Sequence, residues 1–286
     1  MLFNEALKLF QDHLLTIGRS PNTIHRYLTD LTTFYHAQEH KQNGAAYLAD
    51  INSTDLEQFL YNLQQQGIAP NSRSRFIYTF RSFYKFAYKK ELVPRDIAQT
   101  LDVIKLPTTE RTYLNQCELE ELIAAIQHKL IRLLVIFLAN TGLRISESLH
   151  LTLHDVDLAA GLIQVRQGKG GKDRKVPINQ KLLPLLQDYR ENWRDAYGSD
   201  FFFATKKTGS LSNVYVNSII RQTVKKLGWS KQVSAHTLRH SFASNLIRKK
   251  VGLVEIQKLL GHSSLTVTSI YTHTDLAQLT AAVNTL

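Results

Sequence analysis

Between Arg73 and Lys90 the chain carries two superimposed periodicities that tightly restrict its conformation. Phe76, Ile77, Phe80, Phe83, Tyr84, Ala87 and Tyr88 recur at the i, i+3/i+4, i+7/i+8 spacing of one helical face. Arg81, Lys85 and Lys89 recur every four residues on the opposite face, with Arg73 and Arg75 near its start. The segment from about Ser72 to Lys90 therefore reads as a helix with one buried stripe and one cationic face.

The neighbouring segments are also helical in pattern. Ser20-Pro21-Asn22-Thr23 is a helix start, with Ser20 as N-cap and Pro21 at the first helical position, where its missing N–H costs nothing. Another helix is expected from Ser53 or Thr54 to just before Gly67. Residues 103–113 (Val-Ile-Lys-Leu-Pro-Thr-Thr-Glu-Arg-Thr-Tyr) lose the periodicity and mark a domain boundary. Beyond it, Gln116 to Gln127 and Leu130 to Ala139 look helical. Leu162 to Arg166 and Arg174 to Ile178 look like two short strands joined by a Gly- and Lys-rich turn, after which helical periodicity is expected to dominate to the end.

At 286 residues the chain is long enough for two domains, and 43% hydrophobic against 21% charged residues is ordinary for a globular protein. The formal net charge of +11 points to a polyanionic partner. That charge is uneven: residues 1–106 hold 12 Lys/Arg against 10 Asp/Glu, residues 107–286 hold 23 against 14. The cationic face of residues 73–89 is then either a solvated outer surface or a row of cations laid on nucleic-acid phosphates. Cys117 is the single cysteine, which excludes an intrachain disulfide and a Cys₂His₂ or Cys₄ zinc site. The amino terminus lacks a signal-peptide pattern, and the most apolar run, Leu130 to Ala139, is too short to span a membrane and contains Arg132. A cytoplasmic protein without membrane association is expected.

Several weaker signals lie in the carboxyl half. Thr141-Gly-Leu-Arg-Ile-Ser-Glu147 follows an apolar helix and reads as a turn opening a new one. Arg144 there is either a surface or capping residue or a bidentate grip on phosphate oxygens, and Glu147, one helical turn on, can hold it in place. Gln167-Gly-Lys-Gly-Gly-Lys-Asp173 lacks the P-loop pattern. It is either a turn with solvated lysines or a hairpin tip projecting one ammonium into a cleft as an acid, and Lys169, Lys172 and Lys175 share that hairpin. His236-Thr-Leu-Arg-His240 opens a helix with His236 and Arg239 on one face; His240 reads as a packing or supporting group. Gly261 sits where a C′ glycine would end the preceding helix, so His262 emerges at a turn. The next helix carries Tyr271, a phenol that nearby cations and a base would help to ionise as a nucleophile.

Taken together and in this order, these segments resemble the tyrosine recombinases, or phage-integrase family, most closely their compact Xer-like or transposon-resolvase members. The resemblance runs through Asn22-Thr-Ile-His-Arg-Tyr27 and Arg81-Ser-Phe-Tyr-Lys85, then the Arg144, Lys169, His236–His240, Leu260-Gly-His262 and Tyr271 motifs. It implies a mainly α (α+β) architecture. A helical core-binding domain would span residues 1–106, with a linker to about 112. A mixed α/β catalytic domain with a small antiparallel sheet would span 113–286, ending in a tail exchanged between protomers.

The implied activity is site-specific recombination of double-stranded DNA by a homotetramer on two recombination sites, the free chain being a monomer or weak oligomer. Tyr271 would attack the scissile phosphate to give a 3′-phosphotyrosyl bond. Arg144, Arg239 and His262 would stabilise the transition state, with His236 as general base and Lys169 as general acid. Glu147 and His240 would support them, and Arg73, Arg75, Arg81, Lys85 and Lys172 would contact DNA. Exchange would pass through a Holliday junction and need no metal and no other cofactor. Resolution or integration of a mobile element is the expected role; a catalytically silent DNA-binding regulator and a type IB topoisomerase are the competing readings.

Overall fold

A computed structural model describes residues 1–42, 44–106, 112–166, 173–195 and 198–261. The chain divides into two compact units, Met1–Thr109 and Glu110–Leu286. The first contains α1 (Phe3–Thr16), α2 (Pro21–Gln42), a 3-10 turn (Leu48–Asp50), α3 (Ser53–Gln65) and α4 (Pro70–Lys89). Pro21 opens α2 as expected, with the Ser20 hydroxyl accepting the Thr23 N–H at 3.3 Å. Asn52 and Asp55 form a reciprocal capping box that starts α3.

The core of this unit is aromatic. Phe10 meets Phe83 edge-on with ring centroids 5.4 Å apart, and Phe34 meets Phe80 at 5.0 Å, geometries that the ring quadrupoles favour. The expected α4 stripe is buried from Phe76 to Ala87, but Tyr88 is 53% exposed and Phe86 is buried in its place. Both lie roughly 100° from the centre of the stripe, on opposite flanks. The Phe86 flank is covered by Phe10 and His13 of α1, with ring centroids at 5.2 and 4.9 Å. One buried carboxylate is paired across helices: Asp30 of α2 accepts two hydrogen bonds from Arg75, at 3.0 and 2.7 Å, and a third from Thr79 at 3.0 Å.

The second unit is built around α6 (Lys129–Thr141), whose side chains are apolar on nearly every face and mostly buried. α5 (Gln116–Ala125), α10 (Ala235–Arg248) and the rest of the core surround it. After α7 (Ile145–Leu149), strands β1 (Val156–Asp157), β2 (Leu162–Val165) and β3 (Arg174–Pro177) form an antiparallel sheet in the order β1-β2-β3. Val165 pairs with Arg174 and Leu162 with Pro177. The two-residue β1 has no sequence periodicity to announce it. Then come α8 (Leu183–Asp188), a π turn to Trp193, α9 (Asn213–Lys226) and α11 (Leu253–Leu260).

The helical pattern expected after β3 is interrupted. Among the described residues from Arg194 to Ser212 there is no helix. Phe202 and Phe203 are fully buried there in irregular chain, and Arg194 donates to the carbonyls of Ser199, Phe201 and Phe202 at 2.6, 2.7 and 3.2 Å. A half-buried arginine thus satisfies the carbonyls that a helix would have bonded internally. No helix among the described residues is long and apolar enough to cross a membrane.

Gly142 ends α6 with φ +64°, and a Cβ at that position would lie 2.3 Å from Phe242 Cδ1. Gly142→Ala combines left-handed strain with overpacking and should cost about 2–4 kcal/mol in urea unfolding. Gly161→Ala has the same φ of +64° with nothing within 4 Å, and should cost only about 1–2 kcal/mol. Equal losses would contradict the close approach of α10 to Gly142.

Candidate active site

The turn after α6 places Arg144 immediately before α7, as its N-cap residue. Glu147, three residues on, accepts the Arg144 backbone N–H at 2.8 Å and the Arg144 guanidinium at 2.7 Å. Local chain geometry therefore fixes both residues at once, and Glu147 holds Arg144 as the sequence suggested. Two further arginines arrive from distant elements. Arg174, at the start of β3, donates to both Glu147 carboxylate oxygens, at 3.1 and 2.8 Å, and through Nε to the Leu259 carbonyl at 3.0 Å. Arg239, in the second turn of α10, is 2% exposed. Its guanidinium bonds the carbonyls of Gly142 and Leu260, both at 2.7 Å, and lies 4.0 Å from Glu147.

Three guanidiniums thus surround one carboxylate, leaving two positive charges in excess. Burial alone would push the Glu147 carboxyl up. The hydrogen bonds from Arg174 and the Arg144 N–H, with the charges of both arginines, outweigh it and hold the pKa at about 2. The Arg144 side chain keeps 25% exposure, so this guanidinium still reaches solvent. Such an excess of fixed, partly desolvated positive charge is what a phosphoryl-transfer transition state requires.

His236 occupies the first turn of α10, which is fixed by the Ser234 cap and by the Ala235 N–H donating to Asn217 at 2.9 Å. It is exposed and lines an open cleft of about 930 Å³ with Ile145, Asn217, Arg221, Lys231 and Ser234. His240 is buried behind it, its ring edge-on at 4.4 Å. Arg144, Glu147 and Arg239 are therefore brought together, and His236 borders the cleft next to Ile145, the residue following Arg144. Lys169, Lys172, His262 and Tyr271 lie outside the described residues, as does the tail from Asp275.

Arg174 was not foreseen. Its signal was present in the strand alternation, which puts Arg174 on the same side as the buried Val176 and opposite the exposed Lys175. An arginine on a core-facing position needs acceptors for its guanidinium, a carboxylate or backbone carbonyls. In the amino-terminal unit the foreseen DNA-contact residues are mostly engaged internally. Arg73 donates to Ile68 O and Gln64, Arg75 to Asp30, and Arg81 to the Leu101 carbonyl. Lys85 is exposed and borders a cavity of about 790 Å³ with Arg81, Tyr88, Lys89 and Arg95. No cluster of three or more His, Cys, Asp or Glu side chains suited to a metal occurs among the described residues.

A folded-state pKa below the unfolded value adds stability above about pH 5, lost as pH falls toward 2. Between pH 6 and pH 3 Glu147 should account for about 2 kcal/mol of lost stability. Urea unfolding of Glu147→Gln should show a pH slope shallower by that amount, and identical slopes would contradict the assignment.

Residues 112–278 match the phage integrase family, and residues 7–91 match the phage integrase N-terminal SAM-like domain. The chain is 34% identical over 265 residues to tyrosine recombinase XerC of Oceanobacillus iheyensis, covering 89% of this chain and 86% of that one. It is 33% identical over 274 residues to tyrosine recombinase XerA of Thermococcus kodakarensis, covering 94% and 90%. A crystal structure of XerH site-specific recombinase bound to its difH substrate superposes with a TM-score of 0.70 at 27% identity, covering 91% of this chain and 78% of that one. The chain belongs to the phage integrase family and is a site-specific tyrosine recombinase.

Proposed function

We propose that the chain cuts and rejoins double-stranded DNA at specific recombination sites, with Tyr271 as nucleophile and Arg144 and Arg239 as the stabilisers of the phosphate. The observation that carries this is the convergence of both arginines on Glu147 with positive charge in excess, beside a cleft bordered by His236. A phosphate entering there meets cations already held in place, so little reorganisation is needed as charge develops on its equatorial oxygens. The DNA-bound XerH relative supports the partner class.

The phenol oxygen of Tyr271 forms the bond to phosphorus while the bond to the 5′-oxygen breaks. His236 accepts the phenol proton and Lys169 donates one to the leaving 5′-oxygen. His262 adds a hydrogen bond to a phosphate oxygen. The 3′-phosphotyrosyl bond keeps the ester linkage, so a 5′-hydroxyl from a second duplex reverses the step without ATP. Two such exchanges by a tetramer on two sites pass through a Holliday junction and resolve or integrate a mobile element. The Xer relatives fit this scheme as recombinases, and footprinting on the DNA flanking the gene identifies the site.

A nicked suicide duplex carrying that site should trap a covalent complex with the wild-type chain, and Tyr271→Phe should bind it equally but form none. Covalent attachment of the Phe variant would assign the nucleophile elsewhere. In the amino-terminal unit, Lys85→Ala should weaken binding and lower the slope of log K against log salt by about 1. Arg75→Ala should leave that slope unchanged and lower Tm, because its partner is the buried Asp30.

A further inference from the structure

We propose that Arg174 is a positioning residue for strand cleavage: its guanidinium holds Glu147 and the end of α11 in one place, so that Arg144 and Arg239 present their charge to the phosphate. This rests on the reading above that those two arginines bind the scissile phosphate. The geometry is a fork in which all three guanidinium nitrogens are engaged. Two N–H groups engage the two oxygens of Glu147 and Nε engages the Leu259 carbonyl, with the side chain 11% exposed. A guanidinium held in this way orients its partners, and its low exposure turns it toward them and away from solvent.

Removing it changes the local electrostatics in a defined direction. The charged groups facing Glu147 are Arg144 from the start of α7, Arg174 from β3 and Arg239 from α10. Without Arg174, the carboxylate is shared by Arg144 and Arg239 alone and draws both guanidiniums inward, away from a phosphate. The same residue fixes α11. Its last two carbonyls are taken by Arg174 at Leu259 and by Arg239 at Leu260, so the two arginines share one anchor at the negative end of the helix. Gly261, at φ +64°, makes room: a Cβ there would stand 3.0 Å from Arg174 Cδ and 3.0 Å from a terminal guanidinium nitrogen. In the chain, Arg174 follows Lys169 by five residues and Gly261 immediately precedes His262. Arg174 therefore ties together the points from which both segments leave the described fold.

The test is single-turnover covalent complex formation on a nicked duplex carrying the footprinted site, with DNA affinity and thermal unfolding measured in parallel. Arg174→Gln should bind DNA within twofold of wild type, cleave about 10- to 100-fold more slowly, and lose rate on the acid side at a higher pH than wild type. That acid limb is the signature of Glu147, whose carboxyl rises once its first guanidinium partner is gone. Arg174→Lys keeps the charge but not the fork, and should restore the pH profile with only part of the rate. A folded Arg174→Gln that cleaves at the wild-type rate overturns the proposal, as does a rate loss matched by lost affinity with an unmoved pH profile. If Arg174→Gln does not fold, Arg174→Lys decides: wild-type rate overturns the role, and a slower rate at unchanged affinity supports it. Failure of the wild-type chain itself to become covalently attached would remove the phosphotyrosyl reading, and the proposal with it.

Discussion

The carboxylate of Glu147 is the point on which the second unit's site depends. It stands at the start of a helix of only five residues, and it receives hydrogen bonds from Arg144, from the Arg144 backbone and from Arg174. A carboxylate this buried stays charged because those donors outweigh its desolvation, while Arg174 and Arg239 are held by backbone carbonyls as well as by the carboxylate.

Around this centre the chain solves a second problem, the bonding of carbonyls that helix ends leave without partners. Arg239 accepts two such duties, at Gly142 after α6 and at Leu260 in α11, and Arg174 takes Leu259. In each case a long side chain with several donors replaces the usual backbone or water partner. The same device recurs away from the site, where Arg194 holds the irregular segment from Ser199 to Phe202 and Arg81 holds the Leu101 carbonyl. Several of the arginines are therefore structural. A cationic helix face in the sequence therefore does not separate arginines with internal partners, such as Arg75 and Arg81, from exposed cations such as Lys85.

Features set by neighbours in the chain were legible in the sequence. The Arg144–Glu147 pair, the Ser20-Pro21 helix start, the two strands of the hairpin and the Gly261 terminus all follow from spacings of a few residues. Features set by distant partners were not. Arg75 is matched by Asp30 across 45 residues, Arg174 by Glu147 across 27, and neither pairing leaves a periodic trace. The exchange of Tyr88 for Phe86 in the buried stripe depends on where α1 docks. The irregular chain after Trp193, tied by Arg194 to carbonyls five to eight residues on, likewise follows no periodic pattern. Lys169, His262 and Tyr271 are known from motif alone, since they lie outside the described residues.

The hydrogen bonds that define the site span long stretches of chain: 27 residues from Arg174 to Glu147, 85 from Arg174 to Leu259 and 97 from Arg239 to Gly142. Loop closures of this length are made late in folding, after local helices have formed. A nascent chain still lacking α11 has neither terminal carbonyl to offer Arg174 or Arg239. The convergence of Arg174 and Arg239 is therefore completed only once Leu259 and Leu260 have been made, and a fragment that stops before Leu259 lacks the carbonyls that anchor both guanidiniums.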